Sequence, residues 1–244
     1  MAVDILKERL QRWHGGRVLD VATGRGAFVE YLMASLADYH QIIGIDLSES
    51  NINTAREHLG SDKVNLEVMD AEKMTYADNS FDTVAIAYSL HHLNHIDGIL
   101  GEMNRVLKPG GLFLICEMYR DNQTEKQFTH VYLHHWWAEI DRTNGIIHNE
   151  TFTRQEIIDK VRKSALGELE IFDLTGVDSE TYDDDKLAGE FLKICDQYMG
   201  KIKEGPDRQR LMDRGMELKK RVIEIGFEGA STLCVLGRKP GRPI

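Results

Sequence analysis

The first 120 residues alternate short apolar runs with amphipathic stretches of helical length, and this alternation leaves few folds open. Arg17–Val21, Gln41–Asp46, Val64–Met69, Asp82–Tyr88 and Leu112–Glu117 each read as a strand, bounded by turn residues. A helical pattern with Phe28, Leu32 and Leu36 on one face follows the first strand. Ser48 caps a second helix through about Leu59, where Gly60 stops it. Ile96–Leu107 is a third helix, ended by Lys108-Pro-Gly-Gly111. Such alternation builds βαβ units, and right-handed crossovers turn them into a mostly parallel sheet with helices on both faces. The expected class is α/β and Rossmann-like. Ligands in such sheets bind beyond the carboxyl ends of the strands, near the reversal of strand order.

The remainder is less regular. Asp121–Asp141 reads as a helix unusually rich in His and Trp, and Thr153-Arg-Gln-Glu156 is a capping box opening a helix to about Ala165. Leu169–Leu174 and Ser231–Gly237 read as the last strands. About 50 residues separate them, well beyond a hairpin loop. Two helices, Lys186–Ile202 and Arg208–Ile225, are expected there. Their stripes (Leu187, Phe191, Ile194 and Tyr198; Leu211, Leu218, Val222 and Ile225) each need something to cover them.

Chemistry concentrates at the strand ends. In Val18-Leu-Asp-Val-Ala-Thr-Gly-Arg-Gly-Ala27 a strand delivers Asp20 to its end and turns tightly into a helix. Gly24 and Gly26 let backbone approach a ligand, and the helix N-terminus offers free N–H groups to a carboxylate or phosphate. Twenty residues beyond Gly26, Asp46 ends the second strand, where a carboxylate accepts hydrogen bonds from both hydroxyls of an adenosine ribose. That geometry serves nicotinamide dinucleotides and S-adenosylmethionine (SAM) alike. The dinucleotide pattern, however, expects a third small residue where Val29 stands. Asp70, ending the third strand, suits an adenine amino group. The fourth strand brings Tyr88, Ser89, His91 and His92 to the same rim.

The ordered set VLDVATGRGAF, GIDLSE, MDAEKM, FDTVAIAYSLHHL and RVLKPGGLFLICE resembles the class I SAM-dependent methyltransferases. It is nearest the small-molecule branch similar to ubiquinone and menaquinone methyltransferases. The resemblance covers roughly residues 15–120, with a fainter match in the final strands. It implies a seven-stranded sheet with its last strand antiparallel, and transfer of the sulfonium methyl to an O, N or C nucleophile of a small acceptor. The chain reads as one domain over 1–244; unlike the family's common plan, which joins the last strands by a short hairpin, its helical segments at about 121–165 and 178–228 are expected to cap the sulfonium and enclose the acceptor, or else to form a dimerisation element. Asp20, Gly24 and Gly26 would hold the methionine portion, with Ala22 in place of the family's usual first glycine. Asp46 would hold the ribose, with Leu47 in the same cofactor-binding set, and Asp70 with Ala71 the adenine. Tyr88 would pass its backbone close to the sulfonium. Two other readings stay open: a non-catalytic module that binds SAM or its demethylated product, and, against Val29 and the LKPGG turn, an NAD-dependent oxidoreductase.

Methyl transfer needs alignment and exclusion of water, and a base only where the acceptor must lose a proton. His91 and His92 are the candidate bases. His130 and His134, four apart on the His/Trp-rich helix, share a face and are candidate substrate contacts. With His91, His92 and His95 they make a metal site conceivable, but helix-face histidines are commonly packing, and no metal is expected.

The formal net charge of −10 disfavours a nucleic-acid partner. Arg238, Lys239 and Arg242 read as a solvated tail. No run of about 18 apolar residues suggests a membrane span, and the start of the chain lacks a secretory pattern. Cys116, Cys195 and Cys234 show no metal spacing; Cys116 and Cys234, inside the apolar runs LFLICEM and STLCVLG, read as small buried hydrophobes in a reducing, cytoplasmic setting. A homodimer is a possible state.

Overall fold

The computed structural model describes residues 4–164, 166–174 and 184–241, the side chains of 184–188 excepted. Helix α1 is Ile5–Leu10. Strands β1 (Arg17–Val21), β2 (Gln41–Asp46), β3 (Val64–Val68) and β4 (Phe81–Ala87) follow, with α2 (Ala27–Ser35) and α3 (Glu49–His58) between the first three. A single 3-10 turn, Leu90–His92, leads to α4 (Ile96–Val106), β5 (Leu107–Met118), α5 (Glu125–Thr143), α6 (Arg154–Arg162) and β6 (Leu169–Leu174). Then come α7 (Asp184–Gly200), α8 (Arg208–Glu224) and β7 (Thr232–Arg238).

The seven strands lie in the order β3-β2-β1-β4-β5-β7-β6. β1 to β5 pair in parallel, and β7 runs antiparallel to both its neighbours. The α/β, seven-stranded expectation is met. Order reverses between β1 and β4, so the carboxyl ends of these two central strands flank the crevice where such sheets take ligands. Both strands are buried on both faces, as their unbroken apolar runs require. Helices α1, α2 and α3 cover one face, and α4 and α6 the other.

Helices α5, α7 and α8 form a separate apolar layer around Trp136. That ring is 1% exposed, and its Nε1 donates to the Leu211 carbonyl at 3.0 Å. A Cβ on Gly215 would come within 2.5 Å of it, so glycine there sets how closely α8 approaches α5. The stripes Phe191, Ile194, Tyr198 and Leu211, Leu218, Val222 are thus covered within the chain. Ile225 is 40% exposed, and the Leu187 side chain lies outside the described residues.

Three local readings change. The segment Lys108-Pro-Gly-Gly111 is the start of β5 instead of a loop: α4 stops at Val106 and the chain extends at once. Gly110 takes φ +78°, and a Cβ on Gly111 would sit 2.8 Å from the Asp82 carbonyl, so the ladder slips between Phe81 and Thr83. The His/Trp-rich helix begins at Glu125. Residues 121–124 lead into a capping box in which Thr124 Oγ1 accepts from Gln127 N and Gln127 Oε1 accepts from Thr124 N. The basic end is no solvated tail: Lys239 Nζ donates to the Asn104 and Leu107 carbonyls, each at 2.7 Å, and Arg238 lies over the Trp13 ring. These contacts satisfy carbonyls at the end of α4 that have no helical partner. Arg242 is outside the described residues, as is Ala165 at the end of α6.

The three cysteines are buried. Cys116 and Cys234 face each other across β5 and β7, with sulfurs 2.7 Å apart. Among the described residues no helix is long and apolar enough to cross a membrane.

Candidate functional site

The rim is built from the ends of β1, β2, β3 and β4. Asp20 leaves β1 almost fully buried, at 1% exposure. Its Oδ2 accepts from Thr23 Oγ1 at 2.6 Å, while its buried Oδ1 has no partner. Burial, reinforced by the nearby Asp46, pushes its pKa up to about 7 against the lowering effect of Thr23. An orphaned carboxylate oxygen of this kind costs free energy until a donor meets it, and a cation meets it best.

Beyond Asp20 the backbone enters the left-handed region three times: Ala22 at φ 54°, Gly24 at 55° and Gly26 at 88°. A Cβ on Gly26 would strike the Leu59 side chain at 2.3 Å, so this glycine seats α2 against α3. A Cβ on Gly24 would meet nothing within 4 Å, so that glycine borders open space. Tyr88, at the end of β4, also has positive φ, 50°. For a bulky residue this is a true outlier, and it faces Ala22 across the point where strand order reverses. Ser89 Oγ ties the two ends together, donating to the Ala22 carbonyl at 3.2 Å.

Asp46 is half-buried and already engaged. Its Oδ2 accepts from Gly24 N at 2.8 Å, and its Oδ1 from Ser48 N at 2.8 Å and Asn51 Nδ2 at 3.3 Å. The carboxylate therefore holds the glycine turn in place while keeping lone-pair capacity for further donors. Leu47 and Val68 expose 74% and 49% of their surface on this rim. Asp70 is exposed, its Oδ1 accepting from Glu72 N, with Ala71 partly buried between them. A cavity of about 240 Å³ lies between Tyr88, Ala27, Phe28 and Tyr31, closed on one side by Asp4 and Leu6 from the N-terminal segment.

The histidines divide. His91, His92, His134 and His148 come together, each offering a ring nitrogen within 4.8 Å of the others. His91 is 2% exposed, and its Nδ1 donates to Glu117 Oε1 at 2.9 Å. Glu117, fully buried on β5, also accepts from Leu90 N at 2.7 Å and Met118 N at 3.1 Å. His148 Nδ1 donates to Asp141 Oδ2 at 2.8 Å. His92 keeps an open edge to solvent. Desolvation by the surrounding rings, then repulsion from His91 and His148, holds its pKa down at about 3. His134 is pushed down further, by burial first and by His91 next. His130 stands apart: its Nδ1 accepts from Ala230 N at 3.0 Å, its ring packs on Phe191 and Phe227, and burial lowers its pKa to about 4. His95 is exposed and pairs with Glu72.

The expected rim residues thus share one edge of the sheet, and α5 reaches it through His134. Sequence reading missed His148, Glu117 and Asp141. Only Glu117 left a signal, as the one charged residue inside the apolar run LFLICEM.

Comparison with known proteins agrees with this geometry. Residues 19–115 match the family model described as a methyltransferase domain. The ubiquinone/menaquinone biosynthesis C-methyltransferase UbiE of Pseudomonas entomophila (strain L48) is 32% identical over 152 residues, covering 61% of this chain and 59% of that protein. The chain therefore spans about three-fifths of the length of that relative. Among solved structures, the [4+2]-cyclase SpnF aligns with a TM-score of 0.63 at 23% identity, over 97% of this chain and 79% of that one. The Haemonchus contortus phosphoethanolamine N-methyltransferase 2 solved with S-adenosyl-L-methionine aligns at 0.59 and 19%, over 97% and 51%. The two structures establish the fold alone; one is named a cyclase and the other a methyltransferase, so fold does not fix the reaction.

Proposed function

We propose that the chain, residues 19–115 of which match the methyltransferase-domain model, is a class I enzyme that transfers the sulfonium methyl of SAM to a small organic acceptor. The observation that carries this reading is the buried, unpartnered Asp20 Oδ1 at the end of β1, delivered into the turn whose Gly24 borders open space. An ammonium group of the methionine portion supplies the missing donor. The open backbone at Gly24 and Gly26, with Ala22, admits the chain that follows it. Asp46 and Leu47 take the ribose, Asp70 with Ala71 the adenine, and the strained Tyr88 backbone passes the sulfonium. SAM supplies the methyl and a good leaving group; the protein's part is to align the acceptor behind that methyl and keep water out.

In this reading His91 and His92 act on the acceptor, with His134 and His130 lining its side. Helices α5, α7 and α8 cap the histidine side, and the space of about 240 Å³ by Tyr88, closed by Asp4 and Leu6, suits a small molecule. His91→Ala and His92→Ala should then lower turnover while leaving SAM affinity within about twofold, since neither touches the cofactor side. Full activity of both variants would make the pair structural. Asp46→Ala should weaken SAM binding by about 1–3 kcal/mol, roughly 5- to 150-fold, because two ribose hydroxyls and the Gly24 amide lose their acceptor. An unchanged dissociation constant would remove Asp46 from the site.

The deciding experiment is calorimetry with SAM, S-adenosylhomocysteine and NAD, followed by a screen of small hydroxyl, amine and activated-carbon acceptors for release of S-adenosylhomocysteine. Binding of NAD alone would overturn the reading. Binding of SAM without turnover on any acceptor would favour a regulatory module.

A further inference from the structure

The four-histidine cluster lies at the junction of three separate pieces of chain. His91 and His92 belong to the 3-10 turn after β4, His134 to α5, and His148 to the loop between α5 and α6. Their rings surround one point: centroids are 4.2 Å apart for His91–His92, 4.7 Å for His91–His134, 4.8 Å for His134–His148 and 4.2 Å for His92–His148. The loop carrying His148 is pinned there, Asn149 N donating to the His91 carbonyl at 2.8 Å and Arg142 Nη1 to the His148 carbonyl at 2.7 Å.

The protons can be followed. A carboxylate only accepts, so Glu117 obliges His91 Nδ1 to carry hydrogen, and Asp141 does the same to His148 Nδ1. In each neutral ring Nε2 is then a bare lone pair. His148 Nε2 is buried and has no partner, and neither has His134 Nδ1. The Nε2 lone pairs of His91 and His148 thus converge in a largely buried space, beside a neutral His134 whose single proton, on Nδ1 or Nε2, leaves its other ring nitrogen a lone pair as well. Packed rings alone would be better served by apolar side chains, because each unpaired buried nitrogen carries a desolvation cost.

We propose that His91, His92, His134 and His148 bind a divalent transition-metal ion of the kind that favours neutral imidazole, zinc in the first instance. The donor set fits: all-nitrogen ligation suits zinc and its neighbours and is foreign to magnesium or calcium. The carboxylates behind His91 and His148 are the outer partners that metal-binding imidazoles ordinarily use to fix tautomer and aim. Zinc–nitrogen bonds of about 2.0–2.1 Å place tetrahedral ligand atoms about 3.4 Å apart. The present spread, up to 4.8 Å, would have to contract by about 1.4 Å on binding. Three ligands are buried and His92 faces solvent, so the His92 position is the one at which an outside ligand can exchange. The claim stands apart from methyl transfer. If both hold, His91 is a ligand and not a free base, and its loss of turnover should follow metal content.

The test uses the full chain expressed without a histidine tag. Chelator-treated protein is titrated with Zn²⁺ by calorimetry, and with Co²⁺ by visible absorption. One ion per chain should bind, with a tetrahedral cobalt spectrum and a raised melting temperature. His134→Phe and His148→Phe should each weaken binding at least 100-fold, and Asp141→Asn by about 10- to 100-fold. His58→Gln, at an exposed residue ending α3, should change nothing. Titration of the wild-type chain decides even if a variant fails to fold. No stoichiometric uptake of zinc or cobalt by wild-type protein would overturn the proposal. So would equal uptake by a folded His134→Phe/His148→Phe double variant, which would put the ion on surface histidines.

Discussion

Replacing Asp20 with Asn is expected to weaken SAM binding by about 30- to several-thousand-fold, since removing one charge of a buried, hydrogen-bonded charge pair costs roughly 2–5 kcal/mol. The pH profile gives the sharper test. In the ligand-free chain burial lifts the Asp20 pKa to about 7, from 3.8 for an ordinary aspartate. Folding therefore favours the protonated form. The stability that this group contributes is greatest at acid pH, falls as pH rises from about 4 to 7, and is constant above. Three pKa units correspond to roughly 4 kcal/mol as an upper bound. SAM requires the carboxylate, so below pH 7 its binding expels a proton, and affinity should climb up to tenfold per pH unit until about pH 7. The ligand's own amine, losing its proton near about 7.7–8.0, turns affinity down again at higher pH. Calorimetry between about pH 5.5 and 9.5 should show both limbs in wild type and no acid limb in Asp20→Asn. An acid limb surviving in the variant would mean that the group titrating is not Asp20.

Asp20 and Asp46 were legible because local sequence alone creates their setting. An apolar run with no room for polar groups must end in a turn, and a glycine-rich turn into a helix N-terminus exposes whatever the strand delivers there. The same logic exposed the strand ends at Asp70 and Tyr88. It could not show that Asp46 already holds the Gly24 amide, since that bond spans two strands. Nor could it find His148: the segment between α5 and α6 has no periodicity, and its place is set by its bonds to the His91 and Leu93 carbonyls and to Arg142. The Lys108-Pro-Gly-Gly111 segment misled because glycine and proline usually punctuate. Here they let the chain cross close to Asp82 without leaving the sheet. Lys239 looked solvated because a single sequence does not reveal that the end of α4 lies beside it.

Glu117 is the residue whose effect should be largest among those that touch neither cofactor nor acceptor in the reading above. It is completely buried and accepts three hydrogen bonds: one from the Leu90 amide that opens the Leu90–His92 turn, one from Met118 N beside it on β5, and one from His91 Nδ1. In Glu117→Gln the carbonyl oxygen that keeps the Leu90 amide at the Oε2 position leaves the new NH₂ at the Oε1 position, against both His91 Nδ1 and Met118 N. Two donors cannot share that bond, so the imidazole must give up its Nδ1 proton and carry it on Nε2 instead. The nitrogen aimed into the histidine cluster then becomes a donor, unable to take a proton or hold a cation. Turnover should fall about 10- to 100-fold, the range seen when an outer partner of a functional histidine is lost. SAM affinity should stay within about twofold, and unfolding free energy should drop by about 1–3 kcal/mol. Glu117→Ala strands three donors and should cost more, about 3–5 kcal/mol. Because lower stability could by itself reduce activity, the deciding measurement is the ¹⁵N shift of the His91 ring, which reports the tautomer without any acceptor present. Wild-type protein should show hydrogen on Nδ1 and Glu117→Gln on Nε2. An unchanged tautomer with wild-type turnover would leave Glu117 a structural residue of β5 alone.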